Sequence, residues 1–543
     1  MSRFHLYFHT VRHLRPAQIV ARLWRKARRP SPNLRPAPHK RDLSGSYAQP
    51  VPAVRTLIAP NTFRFLNVER RCANAGDWHP ADATKLWTYH LHYFDDLNAE
   101  GSPHRAVWHR ELLQRWVVEN PPAAGDGWEP YPLSLRLANW VKWAARGNSL
   151  PALCHSSMAV QARWLGERLE YDIMGNHLLA NAMALVHVGL YFEGVEAEQW
   201  YRRGIDILSR QLPEQVLADG GHFELSPMYH ALVLEDLLDL INLLGAYGRQ
   251  PPEIWFDIVD QMQRWLVLMS HPDGDIAFFN DAAFGVAPTP AELESYARRI
   301  GLQAASLQAR PLEVLAASGY VRVMLGPACV ICDCAAVGPA YQPGHGHADT
   351  CSFELSLGAQ RVFVNSGVSE YGEQPERQRQ RGTAAHNTVV VDGQDSSEVW
   401  GAFRVARRAR AHLCEARVGE AAIVAACHDG YERLPGRNRH TRCWRLDEHS
   451  LRIEDHVSGD FQCAEAFFHL HPVIDARLSA AGTVILCSGQ RALATVTFEG
   501  AAAVDVARGT WYPRFGVTVE NSRIGVRFAD ASINSCVRWS QPQ

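Results

Sequence analysis

Two imidazoles two residues apart, His345 and His347, stand in the glycine-flexed lead-in Pro343-Gly-His-Gly-His to a run in which Phe353, Leu355 and Leu357 alternate with Ser352, Glu354 and Ser356. That alternation predicts a strand with one buried and one polar face, followed by a turn at Gly358-Ala-Gln-Arg361 and a return strand ending at Asn365. The imidazoles and the Asn365 amide would form the floor of a site, and His386 adds a ring just before the apolar run to Val391. Earlier in the chain, Asn176 and His177 open an otherwise apolar stretch. An N-cap role would explain Asn176 and leave His177 without one. The run Asp219-Gly-Gly-His222-Phe-Glu224-Leu-Ser226-Pro227-Met-Tyr229-His230 is denser still. Ser226 as N-cap and Pro227 at the first helical position predict a helix start, which puts Tyr229 in the first turn, where the helix dipole favours a phenolate. A tyrosine that merely packs is the alternative, and the neighbouring His222, Glu224 and His230 weigh against it.

These groups need two kinds of scaffold. From Asp82 to about Ile300 the pattern is helical, with predicted helices at Arg105–Glu119, Tyr131–Ala145, Ser156–Glu170, His177–Phe192, Glu198–Leu212, Pro227–Tyr247 and Pro252–Met269. Consecutive helices on short loops suggest hairpins stacked into an arc or toroid, and the lack of a fixed period argues against a solenoid. Beyond Pro311, short alternating runs separated by Gly, Asp and Asn predict a large antiparallel sandwich. Before Pro60, a short helix (Pro16–Arg28) and a Pro-rich segment (Pro30–Pro52) read as an arm laid over the surface. The expected class is α+β multidomain: an arm over 1–80, an incomplete (α/α) toroid over 81–305 and an antiparallel β-sandwich over 306–543.

With 543 residues the chain allows roughly two to four domains. Its 47% hydrophobic and 21% charged content describes a globular protein, and a net charge of -2 argues against a nucleic-acid partner. Ten of the 12 cysteines fall from Cys329 onward without a disulfide or metal spacing, so Cys329–Val337 reads as small buried residues in a strand. No charge-free apolar stretch of about 18 residues occurs, so no transmembrane segment is expected. The first residues lack a signal-like apolar core. A reduced, cytoplasmic setting is the expectation, with envelope association left open. The Arg-rich segment Ala21–Arg29 could face an anionic membrane or a partner protein, or be a solvated helix face.

Taken in order, Asn176-His177, Glu224-Leu-Ser-Pro-Met-Tyr229, His345-Gly-His347-Ala-Asp349 and Ala385-His386-Asn387-Thr388 resemble the motifs of the heparinase II/III-like polysaccharide lyases. The resemblance extends past residue 80 and takes in Trp87–Tyr93 and Trp128–Arg136. It implies an (α/α) toroid followed by a β-sandwich, and β-elimination at a uronic acid of an acidic polysaccharide, with a link to bacterial surface polysaccharide. Elimination needs the uronate carboxylate neutralised so that the C5 proton becomes acidic. The resemblance assigns this to Asn176, helped by His177 and His345, and assigns proton removal and donation to Tyr229, with His345 as the other base or acid. It also implies one zinc or other divalent cation, with His347 and His386 as ligands. Asn365 stands where the family has a carboxylate; an amide is a poorer zinc ligand, so it could equally orient His347 by a hydrogen bond.

Tyr89, His92, Tyr93, Trp128, Arg136, Asn139, Glu224, His230 and Arg404 are the residue types expected to line a sugar groove. The Arg runs at Glu376–Arg381 and Arg404–Arg410 could grip carboxylates or be solvated loop charge. Two other classes stay open. A glycoside hydrolase could use Asp219, Glu224, Asp273 and Asp275, which would give the histidines no work. A non-catalytic glycan-binding or assembly factor is the other.

Overall fold

The computed structural model describes residues 3–304, 310–479 and 482–539. Its helices in the first half are α1 (Arg3–Val11), α2 (Pro16–Ala27), α3 (Lys85–Tyr93), α4 (Ala106–Glu119), α5 (Pro130–Ala145), α6 (Ala152–Glu167), α7 (Gly175–Tyr191), α8 (Val195–Gln215), α9 (Pro227–Ala246), α10 (Ile254–Leu268) and α11 (Pro290–Arg299). α12 (Pro375–Arg381) lies among the strands. The predicted helices from Arg105 to Met269 are present with ends shifted by a few residues. α1, α3 and α11 were not anticipated, nor was the small sheet of Leu57–Ala59, Thr62–Phe65 and Val68–Arg71.

α7 and α9 are apolar on nearly every face and buried along most of their length, so they form the centre of the helical half. α7 lies against α8 at glycines on both helices. A Cβ at Gly189 would sit 2.5 Å from the Tyr201 nitrogen, and one at Gly204 would sit 2.6 Å from the Ala182 oxygen. Closer approach of the two backbones leaves no room for any other residue.

The strands that follow make antiparallel sheets. One has eight strands in the order Ala411–Val418, Ala422–His428, Arg439–Leu446, Ser450–Ser458, Ser532–Trp539, Arg491–Glu499, Val484–Ser488 and Ile474–Leu478. A five-stranded sheet runs Leu312–Leu315, Tyr320–Leu325, Ala328–Asp333, Phe353–Leu357 and Gln360–Phe363, and a four-stranded one Ala501–Trp511, Val519–Phe528, Ala464–His469 and Val389–Val391. Side chains from all three meet in one apolar core. Ala328–Asp333 is buried at every residue, as the cysteine-rich run predicted. The chain is thus an α+β multidomain protein. The expected boundary at 305/306 lies outside the described residues.

The segment after α10 ties the helical half to the five-stranded sheet. His271 bonds Glu354 (2.8 Å), Asp273 holds Arg361 (2.6 and 3.0 Å), and the Asp281 amide donates to the His345 carbonyl (3.1 Å).

Candidate functional site

At the meeting of the two halves stands Asp281, a carboxylate with no exposure. It accepts from His345 Nδ1 (2.8 Å), His347 Nε2 (2.8 Å) and both terminal nitrogens of Arg377, one of them at 2.7 Å. Burial alone would raise its pKa, but the Arg377 guanidinium and the two imidazoles hold it well below the usual carboxylate range. With Nδ1–H given to Asp281, His345 presents Nε2 to the cleft, 3.8 Å from Glu224 Oε2. Its ring lies against the Tyr229 ring, with centroids 3.8 Å apart.

The helical side is held by capping and by strained backbone. Ser226 accepts from the Tyr229 amide (3.2 Å), so Ser226 and Pro227 start α9 as the sequence predicts. Met174 and Leu225 adopt left-handed conformations (φ 66° and 59°) immediately beside the site, a strain that such positions hold only when their surroundings fix them. Gly175 has φ +57°, and a Cβ there would lie 2.7 Å from Glu224 Oε1. The Asn176 amide donates to that oxygen (3.3 Å). Asn176 Oδ1 and Glu224 Oε2 are buried without a hydrogen-bond partner among the described residues. Burial pushes the Glu224 carboxyl up, although His345 opposes it.

His177 meets Glu170 (3.2 Å) and stacks on Tyr131 at 4.4 Å. Burial would lower its pKa, but the Glu170 carboxylate outweighs burial and the value is raised. The Tyr229 hydroxyl lies 3.1 Å from that of Tyr371. Burial, then Tyr371, drives its pKa well above that of a free phenol. The phenolate expected from the helix dipole is therefore not what this setting favours, because desolvation outweighs the dipole.

Beneath this layer His347 Nδ1 faces His386 Nε2 at 3.0 Å. The other nitrogens of the two rings meet pure acceptors, Asp281 Oδ1 for His347 and the Gly382 carbonyl (2.9 Å) for His386. Both rings must donate there, which leaves two lone pairs facing each other and needing a cation or proton between them. Asp349 offers a carboxylate oxygen within 4.8 Å of both nitrogens, so His347, Asp349 and His386 fit a divalent cation of the zinc class. Asn365 does not join them. Its amide donates to the Phe278 carbonyl (2.9 Å) and its oxygen accepts from the Asn387 amide (3.3 Å), so it neither completes the set nor orients His347. A second buried trio, Cys351, His428 and His440, is explained by hydrogen bonds. Gly430 N–H, His428, His440 and Asp455 form a relay that occupies all four ring nitrogens.

Several expected groove residues are core instead. His92 lies between the Trp78 carbonyl and Trp116 Nε1, and Trp128 donates to the Asn120 carbonyl. Arg136 is fully buried, bonded to Gln161, His92 O and Gly127 O and lying over Trp116. Asn139 bonds Asp95 and the Tyr93 carbonyl, and His230 is stacked on Trp265. Their polar atoms are spent on backbone groups and on neighbouring side chains. Tyr93 is buried beside Tyr131, Tyr89 bonds Glu129, and Arg404 lies over Trp400 and pairs with Glu373. Tyr93 thus reaches the site through Tyr131, whereas Tyr89 and Arg404 are paired with residues outside it.

Asn176 is not the N-cap of α7, a place taken by Met174. The Arg run of α12 neither grips solvent-side ligands nor is solvated as a whole: Arg377 serves Asp281 and Arg381 binds the Gly346, Gly401 and Ala402 carbonyls. Among the hydrolase carboxylates, Asp219 is committed to Ser318 and Asp273 to Arg361. Only Glu224 stands beside His345. The sequence reading missed Asp281, Tyr371, Tyr131 and Glu170. An Asn280-Asp281 pair enclosed by Phe279 and Ala282-Ala283 was the available signal for the first, since a carboxylate amid apolar neighbours needs partners.

Residues 149–298 match the family model described as Heparinase II/III N-terminus, and residues 307–540 that described as Heparinase II/III-like, C-terminal. A heparin-sulfate lyase of Bacteroides thetaiotaomicron is 23% identical over 421 residues, which cover 66% of this chain and 58% of that protein. FtsZ-localized protein C of Caulobacter vibrioides is 28% identical over 379 residues, covering 64% and 62%. The chain thus spans less than two thirds of the length of these curated relatives. The crystal structure of Heparinase III aligns with a TM-score of 0.68 at 19% identity, over 86% of this chain and 79% of that one, a likeness of fold. Matched by both models along most of its length, the chain belongs to the heparinase II/III-like family.

Proposed function

We propose that the protein is a polysaccharide lyase that cleaves a uronic-acid-containing acidic glycan by β-elimination, with its helices forming an incomplete (α/α) toroid over a β-sandwich. The observation that carries this reading is the convergence of Asn176, His177, Glu224, Tyr229 and His345 around two buried polar atoms that lack partners. Asn176 and a protonated His177 would bind the uronate carboxylate and favour loss of the C5 proton. His345 takes that proton on Nε2, with Asp281 stabilising the imidazolium through Nδ1. Tyr229, kept protonated by its burial, gives its proton to the leaving O4. This divides a labour that the motif alone left shared. A divalent cation bound by His347, Asp349 and His386 would supply positive charge and fix the floor below Asp281. The known lyase activity of relatives adds support: heparin-sulfate lyases are among the proteins this chain resembles.

The test is incubation with a panel of uronate glycans, following the absorbance of the double bond conjugated to the carboxylate and the mass of the product. Products lighter by one water than those of hydrolysis are expected. Reducing ends released without absorbance would assign a hydrolase, and binding without turnover an assembly or binding role.

A further inference from the structure

Residues 3–29 are inverted with respect to an ordinary surface segment. No Asp or Glu precedes Asp42, whereas eight Arg and Lys lie between Arg3 and Arg29. Part of the polar set in and beside α2 reaches the body of the protein: Arg15 pairs with Glu214 (2.6 Å), Arg25 with Asp172 (3.1 Å), Arg28 with Glu167 (2.7 Å), and Gln18 donates to the Ile173 carbonyl (3.3 Å). The apolar side chains turn outward. Val20, Leu23 and Trp24 are 65, 64 and 62% exposed, and Phe8 and Val11 of α1 are 59 and 47% exposed. Arg22, Lys26 and Arg29 are exposed around them. A helix that directs its salt bridges to the body of the protein and exposes its leucine and tryptophan leaves an apolar patch with a basic rim.

We propose that α1 and α2 together dock the protein on an anionic lipid bilayer, with both helices lying in the plane of the headgroups. Charge selects the occupant. A second copy meeting the first through this face would bring Arg22, Lys26 and Arg29 together with their like, while anionic headgroups neutralise them and acyl chains take Leu23 and Trp24. No described helix is long and apolar enough to cross a membrane, so the association is peripheral. α1 is also tied to the site's rim. Tyr7 packs on Trp400 (4.8 Å), whose Nε1 donates to Thr10, and Phe403 of the same loop reaches Tyr371 (5.3 Å) and His345 (6.0 Å). Docking there sets the cleft rim against the membrane.

The test is flotation of the full chain with phosphatidylglycerol–phosphatidylcholine vesicles, phosphatidylcholine vesicles and no vesicles. Binding to the anionic vesicles that weakens with salt is expected. Arg22→Gln with Lys26→Gln and Arg29→Gln should weaken it roughly 100-fold. Leu23→Glu with Trp24→Glu should weaken it by at least about tenfold at unchanged thermal stability, because these side chains are already in water. Val107→Glu, an exposed apolar side chain elsewhere (73%), should bind as the native chain does. Absent binding, equal binding to both vesicle types, undiminished binding of the Leu23/Trp24 variant, or a dimer in sedimentation that this variant abolishes would each overturn the proposal.

Discussion

On the sheet side of the cleft, Asp281, His347, His386 and Arg377 are bonded to one another and to backbone, each almost without exposure. On the helical side, Asn176 Oδ1 and Glu224 Oε2 are equally buried and have no such partner. An unsatisfied buried polar atom costs about 1–3 kcal/mol, so the helical wall carries a destabilising arrangement that a ligand would relieve. The sheet wall is a pre-bonded floor. Its groups are positioned before substrate arrives, while those opposite wait for it.

The largest effect expected from breaking this contrast is on the floor. Asp281→Asn leaves Arg377 buried without its counter-charge and puts an NH2 donor in place of one of the two oxygens that accept from the imidazoles, which should lower unfolding free energy by about 3–5 kcal/mol in urea titration. A loss below about 1 kcal/mol would show that the floor is not pre-bonded in solution. Tyr229→Phe comes next and acts on activity: on the proposed mechanism turnover falls ~10²–10⁴-fold, with folding little changed because, among the described residues, the lost hydroxyl hydrogen-bonds Tyr371 alone. Full activity in this variant would remove Tyr229 from the chemistry.

Asn176→Ala sharpens the comparison from the other side. Its side-chain oxygen has no partner to lose and removing it relieves an unsatisfied buried group, so stability should hold or rise by up to about 1–3 kcal/mol while kcat/KM drops ~10²-fold. A variant that loses stability instead would place Asn176 in the framework. Together with Asp281→Asn, this separates a wall held by its own bonds from one that awaits a ligand.

What could be seen in the sequence was whatever local pattern determines. Ser226-Pro227 marks the start of α9, and the alternation from Phe353 to Leu357 marks a strand, because capping and pleating act over a few residues. The candidate site was half legible for the same reason: Asn176, Glu224, Tyr229 and His345 converge as the ordered motifs imply. Asp281 was not legible, since its partners lie 64, 66 and 96 residues away and its immediate neighbours look like an ordinary turn. The mistaken groove has a related cause. His92, Trp128 and Arg136 are chemically suited to sugars, but only the fold reveals that Gly127, Gln161 and Trp116 have already taken them.

The smallest effect tests how the helical wall keeps its charge. His177 is buried, which would lower its pKa, yet Glu170 raises it. A raised histidine contributes stability that is fully present below its ordinary pKa of 6.5 and lost as pH rises through the folded value. Glu170, lowered mainly by His177 against its own burial, contributes above its ordinary 4.5 and loses that contribution as pH falls through its folded value. The pair therefore stabilises most between those two ranges. In Glu170→Gln the strongest group opposing burial is gone and only Glu224 and Asp172 still raise the ring, so His177 should titrate at lower pH by NMR. The stability gap to the native chain should then be widest between those ranges and narrow on the alkaline side. If His177 neutralises the substrate carboxylate, the alkaline limb of kcat/KM must move to lower pH in step with that titration. A limb that stays in place while the ring shifts would confine the Glu170–His177 pair to structure and leave Asn176 alone in facing the carboxylate.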